Sequence, residues 1–371
     1  MADKIYIFGA HSRGRTLAEY LRSLYPDLVI EAFLYDNEEE NPSVLDGVPV
    51  LPLKKSIFFH TENPVYIGTR GIYHESVTER LRNLGFMEIY PVTVELDLKL
   101  RNEYLSKYYE NIGRVFMKID GLNMDSVSLW EGRTKEEKLS EKSAGIYVAR
   151  SVSDKPLRQD YELASYERAL QVGAVLTEEC IEKDILTDDT GEHISGRNKQ
   201  FCELTGLYWV WKNAREDIVG LAHYRRHFIL PDDWIERMLY HEIDVILPVP
   251  LYVAPSIEGN FKERHEAENW DHMMQYLQKK DPWMYMKANE FFRGNLYSPC
   301  NMLIARKRVL DELCQWLFPI LFYVAECGGH KEDPYSNRYP GFIAERLITF
   351  FLEKNRNQYK LVYADKNFLP S

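Results

Sequence analysis

Residues 218–228, IVGLAHYRRHF, concentrate the side chains best suited to chemistry. They read as an apolar strand that leaves the core and ends in His223, Tyr224, Arg225, Arg226 and His227. A parallel strand delivers its last side chains to the crevice at its C-terminal edge. Two guanidinium forks placed there match the oxygens of a diphosphate. His223 and His227 stand four apart, which invites a metal pair, but they lie on an expected strand and no H-E-x-x-H accompanies them. Metal ligation is therefore not the expectation. The plain alternative for the whole stretch is a surface charge cluster.

Upstream, Asp188-Asp189-Thr190-Gly191 is a turn signal, and Ser195 can cap a helix from about Arg197 to Asn213. Asn198, Cys202, Thr205, Trp209 and Lys212 recur on it at helical steps and share a face. That mixture suits a binding wall; the alternative is a packed helix with a hydrogen-bonded Asn and Thr. Downstream, Asn301 lies where a polar turn enters the strand SPCNMLI. A helix then starts at Pro340-Gly341, with Glu345 and Arg346 in its first turns. Glu345 is the first candidate for a general base that takes a proton from an attacking hydroxyl. Asp333, in the loop GGHKEDPYSN, and Asp189 are the others. The alternative is that Glu345 pairs with Arg346 or Arg338 and only holds the helix in place.

A third candidate lies at the front of the chain. FGAHSRGRTL places Gly9 and Gly14 between a strand (4–9) and a helix (about 13–24). His11 occupies the position where a dinucleotide turn needs its middle glycine, which weakens a dinucleotide reading. Arg13 suits a phosphate at a helix N-terminus, and Asp36 ends the next strand where a ribose-binding acid would stand. These glycines can equally serve the turn alone. A sugar dehydrogenase would add Tyr-x-x-x-Lys. That spacing occurs at Tyr208–Lys212 and Tyr276–Lys280, both far from the glycine turn, and chance explains each.

The elements that must position these residues follow from the rest of the chain. Its 371 residues favour two domains. Strand–helix alternation through the first hundred residues indicates a parallel, doubly wound sheet. The polar stretch at 126–144 reads as a linker, so the expected domains are 1–125 and 145–371. The formal net charge of −11 argues against nucleic acid as partner. Five cysteines without a C-x-x-C pair argue against a structural zinc or a disulfide scaffold, and a cytoplasmic setting is expected. The start of the chain does not read as a signal peptide, and the longest apolar run, 313–325, contains Pro319 and is too short to span a bilayer. Membrane contact is expected to be peripheral at most.

The C-terminal blocks together resemble a family of bacterial glycosyltransferases encoded with capsular, exopolysaccharide and O-antigen synthesis genes, long described as a domain of unknown function. The carrying residues are Asp188-Asp189-Thr190-Gly191, Ile194-Ser195, Asn198, Cys202 through Gly206, Tyr208-Trp209, Trp211-Lys212-Asn213, Gly220-Leu221, His223 through Arg226, Phe228, Asn301-Met302 and Gly341 through Leu347. The resemblance runs through 145–371. Arg197 stands where the family usually has Lys, and His193 where it has Asn. The resemblance implies an A-type glycosyltransferase-like α/β domain behind a Rossmann-like parallel-sheet domain. It implies a nucleotide-sugar donor, UDP-galactofuranose or another UDP-hexose, and a growing, lipid-linked surface glycan as acceptor, handled at the inner face of the membrane. Asp188, Asn198, Thr205, Trp209, Lys212, His223, Tyr224, Arg225, Arg226 and Asn301 become the donor-binding set. The family fold usually carries a D-x-D metal motif where this chain has His223-Tyr224-Arg225. Arginines then replace the ion, with Asp188 and Asp189 as the alternative ligands for Mg²⁺ or Mn²⁺. The first hundred residues resemble the small nucleotide- or sugar-binding domain at the front of bacterial sugar acyltransferases. The competing readings are an NAD-dependent sugar-nucleotide oxidoreductase or epimerase, and a non-catalytic nucleotide-sugar-binding protein.

Overall fold

The computed structural model describes residues 3–36, 41–54, 59–123 and 142–370. The chain divides into two compact units, one of residues 1–116 and 252–254, the other of 117–251 and 255–371.

The first unit holds strands β1 (Lys4–Phe8), β2 (Val29–Tyr35), β3 (Val44–Leu45), β4 (Val48–Pro52), β5 (Val65–Ile67) and β6 (Ile89–Pro91). Its helices are α1 (Ser12–Leu24), α2 (His74–Asn83) and α3 (Val94–Asn111). The sheet order is β3-β4-β2-β1-β5-β6. All pairs are parallel except the β3–β4 hairpin. β1 is apolar from Ile5 to Phe8 because both of its faces are buried. Tyr6 and Phe8 pack with Val65, Ile67, Val77 and Leu81. α1 buries Leu17, Ala18 and Leu21, a helical repeat. Thr93 caps α3 by accepting the Leu96 N–H at 3.3 Å.

The second unit holds β7 (Ala144–Arg150), β8 (Glu167–Gln171), β9 (Leu186–Thr187), β10 (Ile218–His223), β11 (Val245–Pro248), β14 (Leu303–Arg306) and β15 (Leu361–Ala364). The short strands β12 (Leu251–Tyr252) and β13 (Leu296–Tyr297) lie outside this sheet. Its helices are α4 (Asn198–Phe201), α5 (Leu204–Asn213), α6 (Trp234–Tyr240), α7 (Ile257–Arg264), α8 (Ala267–Lys280), α9 (Pro282–Phe292), α10 (Lys307–Gly328) and α11 (Tyr339–Lys354). The seven-stranded order is β15-β11-β14-β10-β7-β8-β9. It is parallel except for β14, which runs antiparallel to both β10 and β11. Ile146, Val148, Ala222, Ile246 and Ile304 build one core with Trp234 and Met238 of α6. The mixed α/β fold is the class expected.

The expected boundary at 125 moves to 116. Ile119 and Leu122 are buried in the second unit's core beside Ile146, and the Tyr363 N–H donates to the Met117 carbonyl at 2.9 Å. Most of the expected linker lies outside the described residues. The return of 252–254 to the first unit had no signal in the sequence.

The glycine turn of the first unit is closed by packing. Gly9 has φ +114°, and a Cβ on Gly14 would stand 1.9 Å from the Gly9 carbonyl oxygen. Gly14→Ala should therefore push α1 off the sheet and destabilise this unit by about 1–3 kcal/mol, the usual cost of overpacking. A thermal melt followed by circular dichroism checks this; an unchanged melt would mean that α1 does not sit so close.

Candidate active site

The helix expected over 197–213 is broken. α4 ends at Cys202, whose φ of 49° lies in the left-handed region, and α5 starts at Leu204. Asn198 Nδ2 donates to the Cys202 carbonyl at 2.8 Å and to Thr205 Oγ1 at 3.1 Å. Thr205 Oγ1 donates to the same carbonyl at 3.1 Å. Both side chains thus brace the kink. Trp209 Nε1 donates to the carbonyl and hydroxyl of Thr190. Lys212 pairs with Glu192 at 3.0 Å and lies over the Trp211 ring. Tyr208 also donates to Glu192, so the Tyr208–Lys212 spacing serves a surface ion pair. Tyr276 of the other such spacing packs on Tyr323. The polar face is a hydrogen-bonded seam, which was the alternative to a binding wall.

Asp188 belongs to the same seam. It is fully buried and accepts from the Gly173 and Ala174 N–H groups at 3.0 and 3.1 Å and from Ser195 Oγ. Three internal donors engage both of its oxygens. Asp189 is half-buried. Asp333 is exposed and caps a turn by accepting the Ser336 N–H at 2.7 Å, which holds its carboxyl below the usual range. Among the described residues no three His, Cys, Asp or Glu side chains are grouped as metal ligands. With Asp188 committed inward, the Asp188–Asp189 pair does not fit a divalent cation.

A different set converges at the C-terminal edge of β10. β14 runs backwards, so its entry turn reaches the edge where β10 ends; Leu221 stands opposite Leu303. The histidine ring of His223 bonds through Nε2 to the Cys300 carbonyl. Glu345 Oε1 accepts the Cys300 N–H at 2.8 Å, and its Oε2 pairs with Arg346 at 2.8 Å. Asn301 Nδ2 donates to Glu203 at 2.8 Å and to the Gly341 carbonyl at 3.0 Å. Its Oδ1 is buried and has no partner among the described residues. Arg338 donates to Cys202 Sγ. Cys202, Cys300 and Asn301 are three of the six described non-glycine residues with positive φ. Strain of this kind concentrates at functional sites. Burial raises the Glu345 carboxyl, against Arg346 beside it. Burial also lowers His223, so its ring is neutral, against the pull of Glu203.

His223 to Arg226 closes as a tight hairpin, with reciprocal backbone bonds of 3.1 and 3.0 Å. Beside it opens a cleft of about 320 Å³, lined by Arg150, Ser151, Asp154, Tyr161, Tyr224 and His227 among others. The Tyr161 and His227 rings stack at 3.9 Å. Beneath them His227 Nδ1 meets Glu167 at 2.8 Å, both side chains buried. The two histidines of the strand end therefore point to separate partners and form no metal pair. Burial pushes the Asp154 carboxyl up to about 6, opposed by the Ser151 N–H and by Arg150 and Arg225. Arg226 acts on the Glu345 carboxyl instead. Of the cleft residues only Tyr224 and His227 had been singled out in the sequence. The polar run SVSDKPL after the apolar strand of 145–150 was the available signal.

In the first unit Gly9 and Gly14 serve the close packing described above. Asp36 pairs with Arg80, so its carboxylate has a partner other than a ribose. Arg13 is exposed, and His11 precedes α1 without a side-chain capping bond.

Residues 155–356 match the family described as "Domain of unknown function (DUF4422)". That is more than half of the chain, and the chain belongs to this family. A solved structure titled as the apo form of the WbbM bifunctional glycosyltransferase is similar at 25% identity and a TM-score of 0.52. The match covers 62% of this chain and 46% of that one, so this chain spans less than half of that protein. A UDP-D-quinovosamine 4-dehydrogenase from Vibrio fischeri matches at 23% identity and a TM-score of 0.23, over 27% of this chain and 84% of that one. A likeness that slight bears no weight. No curated protein matches. Among the described residues no helix is long and apolar enough to cross a membrane.

The half-buried Asp154 carboxyl has a consequence for stability. Its folded pKa of about 6 lies above the ordinary value of 3.8. The native state then holds the proton more tightly than the unfolded state, so stability falls as pH rises from about 4 to about 6. Asp154→Asn should stabilise the fold near pH 7.5 by on the order of 1–2 kcal/mol after allowance for partial exposure, seen as a higher melting temperature, and change it little below about pH 4. The same gain at both pH values would mean that charge is not the cause.

Proposed function

We propose that this member of the DUF4422 family is a glycosyltransferase that moves a sugar from a nucleotide donor to a glycan. One observation carries the reading. An arginine hairpin and a buried, strained carboxylate cluster meet at the C-terminal edge of the sheet, in a chain whose fold is similar to WbbM. The nucleotide is assigned to the cleft beside Tyr161, Arg150 and Tyr224. Its diphosphate then lies along Arg225 and Arg226, and the sugar faces Glu345 and Asn301. The bond that breaks joins the anomeric carbon to the diphosphate oxygen. The bond that forms joins that carbon to an acceptor hydroxyl, whose proton passes to Glu345. The arginines stabilise the charge that gathers on the leaving diphosphate, in the role an ion plays elsewhere. Burial raises the Glu345 carboxyl, against Arg346 beside it, and a raised carboxyl is the stronger proton acceptor. The proposed donor is UDP-galactofuranose or another UDP-hexose. The proposed acceptor is a lipid-linked surface glycan at the inner face of the membrane. The first unit is proposed to bind a nucleotide or sugar of its own.

A panel of nucleotide sugars, followed for binding and slow donor hydrolysis, tests the reading. Arg225→Ala or Arg226→Ala should weaken donor binding by about 1.5–3 kcal/mol, the worth of a charge-assisted bond to phosphate. Wild-type affinity in both variants would sink the diphosphate assignment.

Glu345→Gln can keep the Cys300 N–H bond but leaves Arg346 without its counter-charge. The melting temperature should therefore fall somewhat. Turnover per folded molecule should fall much further, by roughly 10²–10⁴-fold, as for a lost general base. A loss no larger than the folded fraction would make Glu345 a structural ion-pair partner only.

A further inference from the structure

We propose that Phe368 is a positioning residue for the donor diphosphate, because its ring gathers the two guanidinium groups of the 223–226 hairpin. This rests on the reading that Arg225 and Arg226 meet a diphosphate. The Arg225 and Arg226 guanidinium carbons lie 5.3 and 5.4 Å from the centre of the Phe368 ring. Adjacent arginines in a tight turn repel each other. A ring that attracts both cations offsets this.

Phe368 is 59% exposed, so core packing does not explain its place. Its backbone explains it. The segment 365–370 runs antiparallel to 225–229 as a strap. The Ile229 N–H donates to the Asp365 carbonyl at 2.8 Å, Asn367 N–H to His227 at 3.0 Å, and Leu369 N–H to Arg225 at 2.8 Å. The Asn367 side chain accepts the His227 N–H at 2.8 Å. At the far end the Arg158 N–H donates to the Pro370 carbonyl at 3.0 Å, which ties the strap to the loop bordering the cleft. A ladder on both sides of Phe368 thus fixes an exposed ring under two cations.

The two arginines bear on different carboxylates. Arg225 acts on Asp154 in the cleft, and Arg226 acts on Glu345 in the strained cluster. Phe368 therefore stands where nucleotide and sugar would join. Holding the forks together before an anion arrives is preorganisation, which spares the ligand the cost of ordering them.

The test titrates inorganic pyrophosphate, UDP and uridine into the wild-type chain, Phe368→Ala, Phe368→Leu and Phe368→Trp, with melting temperatures as a folding control. Phe368→Ala and Phe368→Leu should bind pyrophosphate and UDP on the order of tenfold more weakly, the worth of two partly exposed cation–ring contacts. Uridine affinity should hold, and Phe368→Trp should restore most of the loss. With donor, KM should rise while kcat holds. If the wild type binds pyrophosphate and UDP and Phe368→Ala binds them equally well, the positioning role is overturned and the donor reading stands. If the wild type binds neither, the donor reading falls and takes this inference with it. Equal loss of uridine affinity, or no rescue by Trp, would assign Phe368 to the shape of the cleft loop and overturn the proposal.

Discussion

β14 runs against both of its neighbours, and that reversal assembles the site. In an all-parallel sheet the chain enters every strand at one edge and leaves at the other. A reversed strand brings its entry turn to the edge where the others end. Here that places the 298–302 turn beside the end of β10, within reach of His223. The pairing is close. A Cβ on Gly220 would stand 2.9 Å from the Leu303 carbonyl oxygen, so this register needs a glycine there. Cys300 and Asn301 then turn with positive φ, a conformation that costs on the order of 1 kcal/mol or more per residue. Bonds to Glu345, His223, Glu203 and Gly341 offset it. The cluster is thus both the support of the turn and the group of side chains that can react.

Polar groups elsewhere in this unit do a different task. Asp188 gathers three donors, and Glu167 holds His227 beneath the Tyr161 ring. Each is buried and satisfied, and each ties segments that are distant in sequence. Removing one partner of such a set leaves a buried charge or donor unpaired, which costs far more than the set contributes as a whole. Of these groups, Tyr161 and His227 line the cleft. The arginine hairpin borders it through Tyr224.

The regular elements of the first unit were legible. The expected strand 4–9, the helix from 13 and the strand beginning at 29 correspond to β1, α1 and β2. Burial on one stripe or on both faces writes a strong period into the residues. The helix 197–213 misled for the same reason. Its spacing is periodic, yet the left-handed turn at Cys202 is held by Asn198 and Thr205, and periodicity does not record a kink that side chains stabilise. The cleft went unread because its lining comes from loops, where no period exists.

Which residue types stand where chemistry is possible was settled by the sequence alone. An apolar strand ending in His223, Tyr224, Arg225 and Arg226, and a helix carrying Glu345 after a Pro-Gly bend, are local facts. Their partners are not local. His223 meets a carbonyl 77 residues away, Glu345 an amide 45 away, and Asn301 a carboxylate 98 away. Only the tertiary structure could decide that Asp188 turns inward while Glu345 joins the cluster, since both are carboxylates after a turn. The reason is physical: a carboxylate's role depends on which donors reach it and how much water is removed, and both are set by chain segments far off in sequence.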